Sequence, residues 1–231
     1  MMDQTTGGDP AGAGVARVEA FSPAEIKRAI YLPHLAIEYI LGKRDRLSLS
    51  VRERGRLGLM VMLLFVAGLA FSVPYSLLEP VSGSFKPYKL MYIFLLFTGS
   101  LLICLPSLHI FNKYVGLDQD PGQSLAMALV ISTVAAMVSF GFFPIVWFIH
   151  FTSGATPSAA DTIKILSNCL LTAAFFMGVL HMGRCFLWSR QLPKLKTANL
   201  LVMAFWVCLL TYITYRMGIH LGILCSDASW R

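Results

Sequence analysis

The chain has 231 residues, 56% of them hydrophobic and 13% charged, with a formal net charge of +7. An average soluble domain is about 25% charged and about 45–50% apolar, so this composition excludes global disorder and points away from a water-soluble domain. Five cysteines, an odd number, do not make a disulfide scaffold, and no short internal period suggests a solenoid.

Residues 1–21 read as a flexible tail rich in Gly and Ala. They hold no apolar h-region, so no cleavable signal peptide is expected. Residues 22–56 read as a basic helical arm. Ser22-Pro23-Ala24-Glu25 predicts a helix start: Ser22 caps, Pro23 suits the first helical position and Glu25 completes a capping box. A short helix is expected through Tyr31. Pro33 then restarts the pattern as PHLAIEYILG, with Gly42 as a stop. Ile30, Leu35, Ile37, Tyr39, Ile40 and Leu41 lie beside Lys27, Arg28, Lys43 and Arg44. That mixture suits a helix lying among lipid headgroups, and equally a helix packed under a bundle by its apolar side.

Between Lys43 and Arg56 the chain reads KRDRLSLSVRERGR. Lys43, Arg44, Arg46, Arg52, Arg54 and Arg56 are candidate contacts to anionic lipid, at roughly 1 kcal/mol per base near a charged surface. The same residues also serve simply to set topology.

Five apolar blocks follow, at 57–78, 90–111, 124–148, 165–187 and 197–215. None contains Asp, Glu or Lys, and Arg184 lies only at the end of the fourth. A block of this size forms a helix about 33 Å long at ~1.5 Å per residue, against a hydrocarbon core of about 30 Å. Continuous apolar runs lack the in–out alternation of a barrel strand, so the predicted fold class is all-α: a polytopic transmembrane bundle of five spans. Residues 57–215 form that domain, and 216–231 a short tail outside. With the N-terminus inside, fourteen Lys and Arg fall on the cytoplasmic side and five on the other. The expected placement is therefore N-in and C-out in a plasma (bacterial inner) membrane. This explains the basic charge without nucleic acid, for which the chain carries no reading module.

Within the spans, Gly68-x-x-x-Ser72, Ser132-x-x-x-Ala136 and Ala174-x-x-x-Gly178 put small side chains on one helix face, suited to close packing. Gly218-x-x-x-Gly222 follows the fifth. Pro74, Pro106 and Pro144 are expected to bend spans one to three. No Walker A loop, Gly-x-Ser-x-Gly, His-Glu-x-x-His or Cys-x-x-Cys occurs. No spanning acid or lysine supports ion-coupled transport. No catalytic residue, metal or cofactor is assigned. His109 and His181, at similar depth on different spans, are candidates for haem ligation. Cys185, beside Arg184, is a candidate for S-acylation.

The stretch CLPSLHIFNKYVGLDQDPGQSLAMAL, Cys104 to Leu129, carries a resemblance. It resembles bacterial five-span inner-membrane proteins with a Pro-Ser-Leu-aromatic-x-Phe-Asn run, a following Gly, and a Gln at the start of the third span. Those are similar in span count and hairpin layout to the Yip1-domain family. Here the run is Pro106, Ser107, Leu108, Phe111, Asn112, Gly116 and Gln123, and His109 stands where an aromatic is commoner. The resemblance covers residues 57 to 215. It implies a membrane-organising or partner-binding role and carries over no catalytic activity. The expected function is accordingly a non-enzymatic membrane protein that binds a protein partner or lipids of the bilayer, or an accessory subunit of a larger complex. The alternatives are a passive channel lined by bent spans two and three, with Ser107 and Asn112 on the path, and a haem-binding redox protein.

Overall fold

The computed structural model describes residues 19–76, 92–114, 120–152, 157–187 and 197–220. Among these there are eight α-helices and no strand. The arm opens with α1, Pro23–Tyr31. The backbone N–H of Glu25 donates to Ser22 Oγ at 3.2 Å, and the Ser22 N–H donates to Glu25 Oε2 at 2.7 Å. The capping box is thus formed, with Pro23 at the first helical position. The helix ends at Leu32, which is extended (φ −116°, ψ 97°) as the residue before a proline must be. Helix α2, Pro33–Ile37, then widens into a π-turn over Glu38–Gly42, where the Lys43 N–H reaches the Glu38 carbonyl at 3.2 Å. Helix α3 covers Arg44–Arg52, and an extended Glu53 separates it from α4, Arg54–Ser76.

The apolar side of the arm does not face outward. Phe21, Ile26, Ala29, Ile40, Leu47 and Val51 are all at most 1% exposed, in one core with Met60 and Leu64 of α4. Of the two arrangements the sequence allowed, packing by the apolar side against the bundle is the one adopted. Helix α4 starts three residues before its apolar block, so Arg54 and Arg56 belong to its first turn.

The long helices are completed by α5 (Tyr92–Tyr114), α6 (Pro121–Thr152), α7 (Pro157–Met182, continued by a π-turn over Gly183–Leu187) and α8 (Thr197–His220). Among the described residues, four helices are long and apolar enough to cross a membrane: Arg54–Pro74, Phe94–Phe111, Pro121–Ile149 and Ile165–Cys185. They are apolar outward as well as inward: Leu102, Ile103, Ile110, Ile145, Phe148 and Met177 are each more than half exposed. A soluble helix turns a polar face to water. The chain is therefore a membrane-embedded helical bundle.

Helix α6 is its centre. Its apolar segment is 61% buried, the highest share of the four, and it packs on α4, α5 and α7. Helices α4 and α6 run parallel: Thr133 Oγ1 of α6 donates to the Leu64 carbonyl of α4 at 2.7 Å, beside Gly68. Helices α6 and α7 meet where Gly178 lies against Ile131, one turn from the buried Ala174. A Cβ at Gly178 would stand 2.5 Å from the Ile131 carbonyl oxygen, so only glycine permits this approach. Ser72, Ser132 and Ala136 are also buried, so the small-residue pairs serve contacts inside the bundle. Gly222 lies outside the described residues. Helix α8 runs antiparallel to α5, joined by Thr214 Oγ1 donating to Ser100 Oγ at 2.9 Å and by the Phe111–Phe205 ring contact. Pro74, Pro106 and Pro144 lie inside α4, α5 and α6, which continue through them.

Candidate functional site

The first turns of α4 and α6, the last turns of α5 and α7, and the whole arm gather at one end of the bundle. Three sets of polar contacts shape the arm and hold it there. The first lies within the arm. The Phe21 N–H donates to Ser50 Oγ at 2.9 Å, and the Phe21 ring stacks on Tyr39 at 4.6 Å. Arg46 lies over Phe21 at 4.5 Å, donates through Nε to the Glu19 carbonyl at 2.9 Å and pairs with Glu25 at 3.1 Å.

The second set ties the α3–α4 corner to the start of α6. Gln123 is buried there. Its Nε2 donates to the Arg52 carbonyl at 2.9 Å, and its Oε1 accepts from the Asp120 N–H at 3.1 Å. Asp120 receives Arg54 on both oxygens, at 2.7 and 3.1 Å, the two-pronged geometry that guanidinium favours. The third is the His181 ring of α7, whose Nε2 lies 2.9 Å from the Ile40 carbonyl in the arm's π-turn. A π-turn offsets the helix ladder by one residue, which suits a carbonyl turned to an outside donor.

The residues of the family-like run fall partly into this junction. Gln123 is its structural centre. Ser107 Oγ donates to the Cys104 carbonyl at 2.7 Å, Leu108 is buried, Phe111 packs on Phe205, and Pro106 is exposed. Gly116 and the Asn112 side chain lie outside the described residues. The two histidines hold separate partners: His109 Nδ1 lies 3.3 Å from Ser124 Oγ on α6, while the Nε2 of His181 is taken by Ile40. Among the described residues no group of three or more His, Cys, Asp or Glu is placed to hold a metal ion. Cys185 is 2% exposed, which corrects its reading as an acylation site, since an acyl transferase needs an accessible thiol. Cys104 is buried too, Cys169 and Cys208 are exposed, and Cys225 lies outside the described residues. A shallow crevice of about 90 Å³ lies between α5, α7 and α8, lined by Phe97, Phe175 and Tyr215 among others. Its threonine hydroxyls turn to protein acceptors, Thr172 to Asn168, Thr211 to Val207 and Thr214 to Ser100.

The basic run divides into two kinds of residue. Lys43 pairs with Glu38 at 2.7 Å, Arg46 with Glu25, Arg54 with Asp120, and Arg56 with Glu53 at 3.0 Å. Lys43 also lies over the Tyr39 ring at 4.9 Å. Arg44 and Arg52 have no ion pair among the described residues; Arg44 is exposed and Arg52 half-buried. Lys27, Arg28 and Arg184 are likewise exposed and without an ion pair among those residues. Sequence spacing hides this division. Arg46 finds its acid 21 positions away and Arg54 its acid 66 positions away.

Glu25 titrates within the arm. Its carboxyl is held below the ordinary glutamate value, first by the Ser22 backbone N–H, which bonds the ionised form, and then by the Ser22 hydroxyl and Arg46, against a desolvation cost. A depressed folded-state value contributes stability above the unfolded glutamate value of about 4.3, and that contribution is lost as pH falls through the lower folded value. Hydrogen-exchange protection of residues 19–31 is therefore expected to decline below about pH 4. The Glu25→Gln variant, which keeps a capping oxygen but has no charge to lose, is expected to flatten that decline. An unchanged acid profile in the variant would assign the loss to another group.

No family model matches the chain, and no curated protein or solved structure matches it.

Proposed function

We propose that this is a non-enzymatic integral membrane protein that crosses the bilayer five times and presents a folded, basic arm on the cytoplasmic side to a protein partner or to lipid. The observation that carries the reading is the fastening of the arm. Its apolar side is buried against the bundle, and separate hydrogen bonds run from α6 and α7 to its backbone. The charged outer side is thereby held in one orientation beside the ends of apolar helices, as a platform rather than a loose tail. Helix α8, 24 residues long and antiparallel to α5, supplies the fifth span in this reading. The crowding of Lys27, Arg28, the 43–56 run, Lys113 and Arg184 at one end supports an N-in, C-out arrangement in a bacterial inner membrane. The resemblance of the 104–129 stretch to bacterial five-span inner-membrane proteins, which are themselves similar in span count and hairpin layout to the Yip1-domain family, supports a membrane-organising role or a place as an accessory subunit.

The test is gentle extraction of the full chain from its own membranes, with accessibility tags at the two ends. The expected result is tags in opposite compartments and a bound protein or anionic lipid that is retained by the native chain. It is lost when His181→Ala and Gln123→Ala together release the arm. A chain that is always free of both, or tags in one compartment, overturns the reading.

A further inference from the structure

We propose that Arg44 and Arg184 form a binding site for the phosphate of one anionic phospholipid headgroup. The two residues are 140 positions apart in the chain but belong to one seam: α3 begins at Arg44 and packs against the π-turn Gly183–Leu187 that carries Arg184. The last turn of α7 closes the seam: His181 Nε2, three residues before Arg184, lies 2.9 Å from the carbonyl oxygen of Ile40, four residues before Arg44. Both arginine side chains are exposed, and neither has an acid within ion-pair distance among the described residues. That sets them apart from Lys43, Arg46, Arg54 and Arg56, each of which is already neutralised by a carboxylate.

Two unneutralised cations on one seam repel each other, and an anion placed between them removes that cost. A phosphodiester suits them best, because guanidinium presents paired N–H donors to adjacent oxygens. Asp45, which follows Arg44 in the chain, is the nearby acid and is exposed. One carboxylate against two guanidiniums leaves the seam net positive. Depth selects lipid over a free anion. Arg184 is the penultimate residue of the apolar segment Ile165–Cys185, and the end of such a segment lies at the level of the headgroups. The inference rests on the proposed membrane placement of the arm and names a ligand for it.

The experiment uses the full chain in nanodiscs of phosphatidylglycerol and phosphatidylcholine, followed by native mass spectrometry of the lipids retained on release. The native protein is expected to keep one phosphatidylglycerol in preference to phosphatidylcholine. Arg44→Gln and Arg184→Gln are each expected to lower that retention about fivefold, and Lys113→Gln, which removes the same charge from the same end, to leave it unchanged. A thermal midpoint equal to that of the native protein shows that each variant is folded. Equal losses in all three variants mean diffuse attraction and overturn the site while leaving the arm's membrane placement standing. Displacement of the lipid by inorganic phosphate alone overturns the choice of lipid. Absence of any phosphatidylglycerol preference overturns the site outright, and the partner test above then decides the broader reading by itself.

Discussion

Replacing Gly178 by alanine is expected to force α6 and α7 apart and to lower the stability of the bundle by about 1–3 kcal/mol. The added methyl would meet the Ile131 carbonyl oxygen at 2.5 Å and the carbonyl carbon at 3.3 Å. Backbone inside a helix cannot swing aside as a side-chain tip can. The matched comparison is Gly141→Ala in α6, where a Cβ meets nothing within 4 Å. That change is expected to stay within about 0.5 kcal/mol, as surface substitutions usually do. Unfolding titrations of both variants with a denaturing detergent in mixed micelles give the comparison. Equal midpoints would show that α6 and α7 do not depend on this close approach. Gly99 is the instructive contrast: its nearest neighbour, at 2.7 Å, is the terminal methyl of Met217, which can move.

Truncating Leu47 to alanine is expected to cost about 2–5 kcal/mol, while the same change at Leu102 costs almost nothing. The reason is the solvent each side chain leaves. Leu47 is fully buried in the arm, where the alternative to burial is water. Leu102 is 52% exposed on α5, where the alternative is lipid, as apolar as the protein. Trypsin has sites at Arg44, Arg46 and Arg52 in the arm, and faster cleavage there reads out its release. The Leu47→Ala arm is expected to be cut quickly and the Leu102→Ala arm at the native rate. Similar cleavage of both variants would mean that polar contacts, and not a water-excluding core, hold the arm.

Much of the local structure was legible in the residues. Ser22 with Glu25 specifies a capping box through backbone chemistry alone, and Pro23 and Pro33 each begin a helix for the same local reason. The apolar blocks specify spanning helices by composition, because a bilayer requires the backbone to bond itself and runs without alternation do not suit barrel strands. The small-residue pairs were legible as close-packing faces, but not the helix each would meet. Gln123 was legible as part of a run, and its task was not: it bonds Arg52, 71 positions earlier. Cys185 looked like a boundary thiol, yet α3 folds over it. The two π-turns left no signal in the periodicity, since one extra residue in a turn alters no composition.

An all-helical membrane bundle with a basic, capped arm follows from the residues alone, because helix formation and burial in lipid depend on a few neighbouring residues and on their polarity. Which bases stay unneutralised, and which face the arm hides, emerge from the folded arrangement. Charge pairing and helix contact depend on distances through space, and here those distances join residues tens of positions apart along the chain.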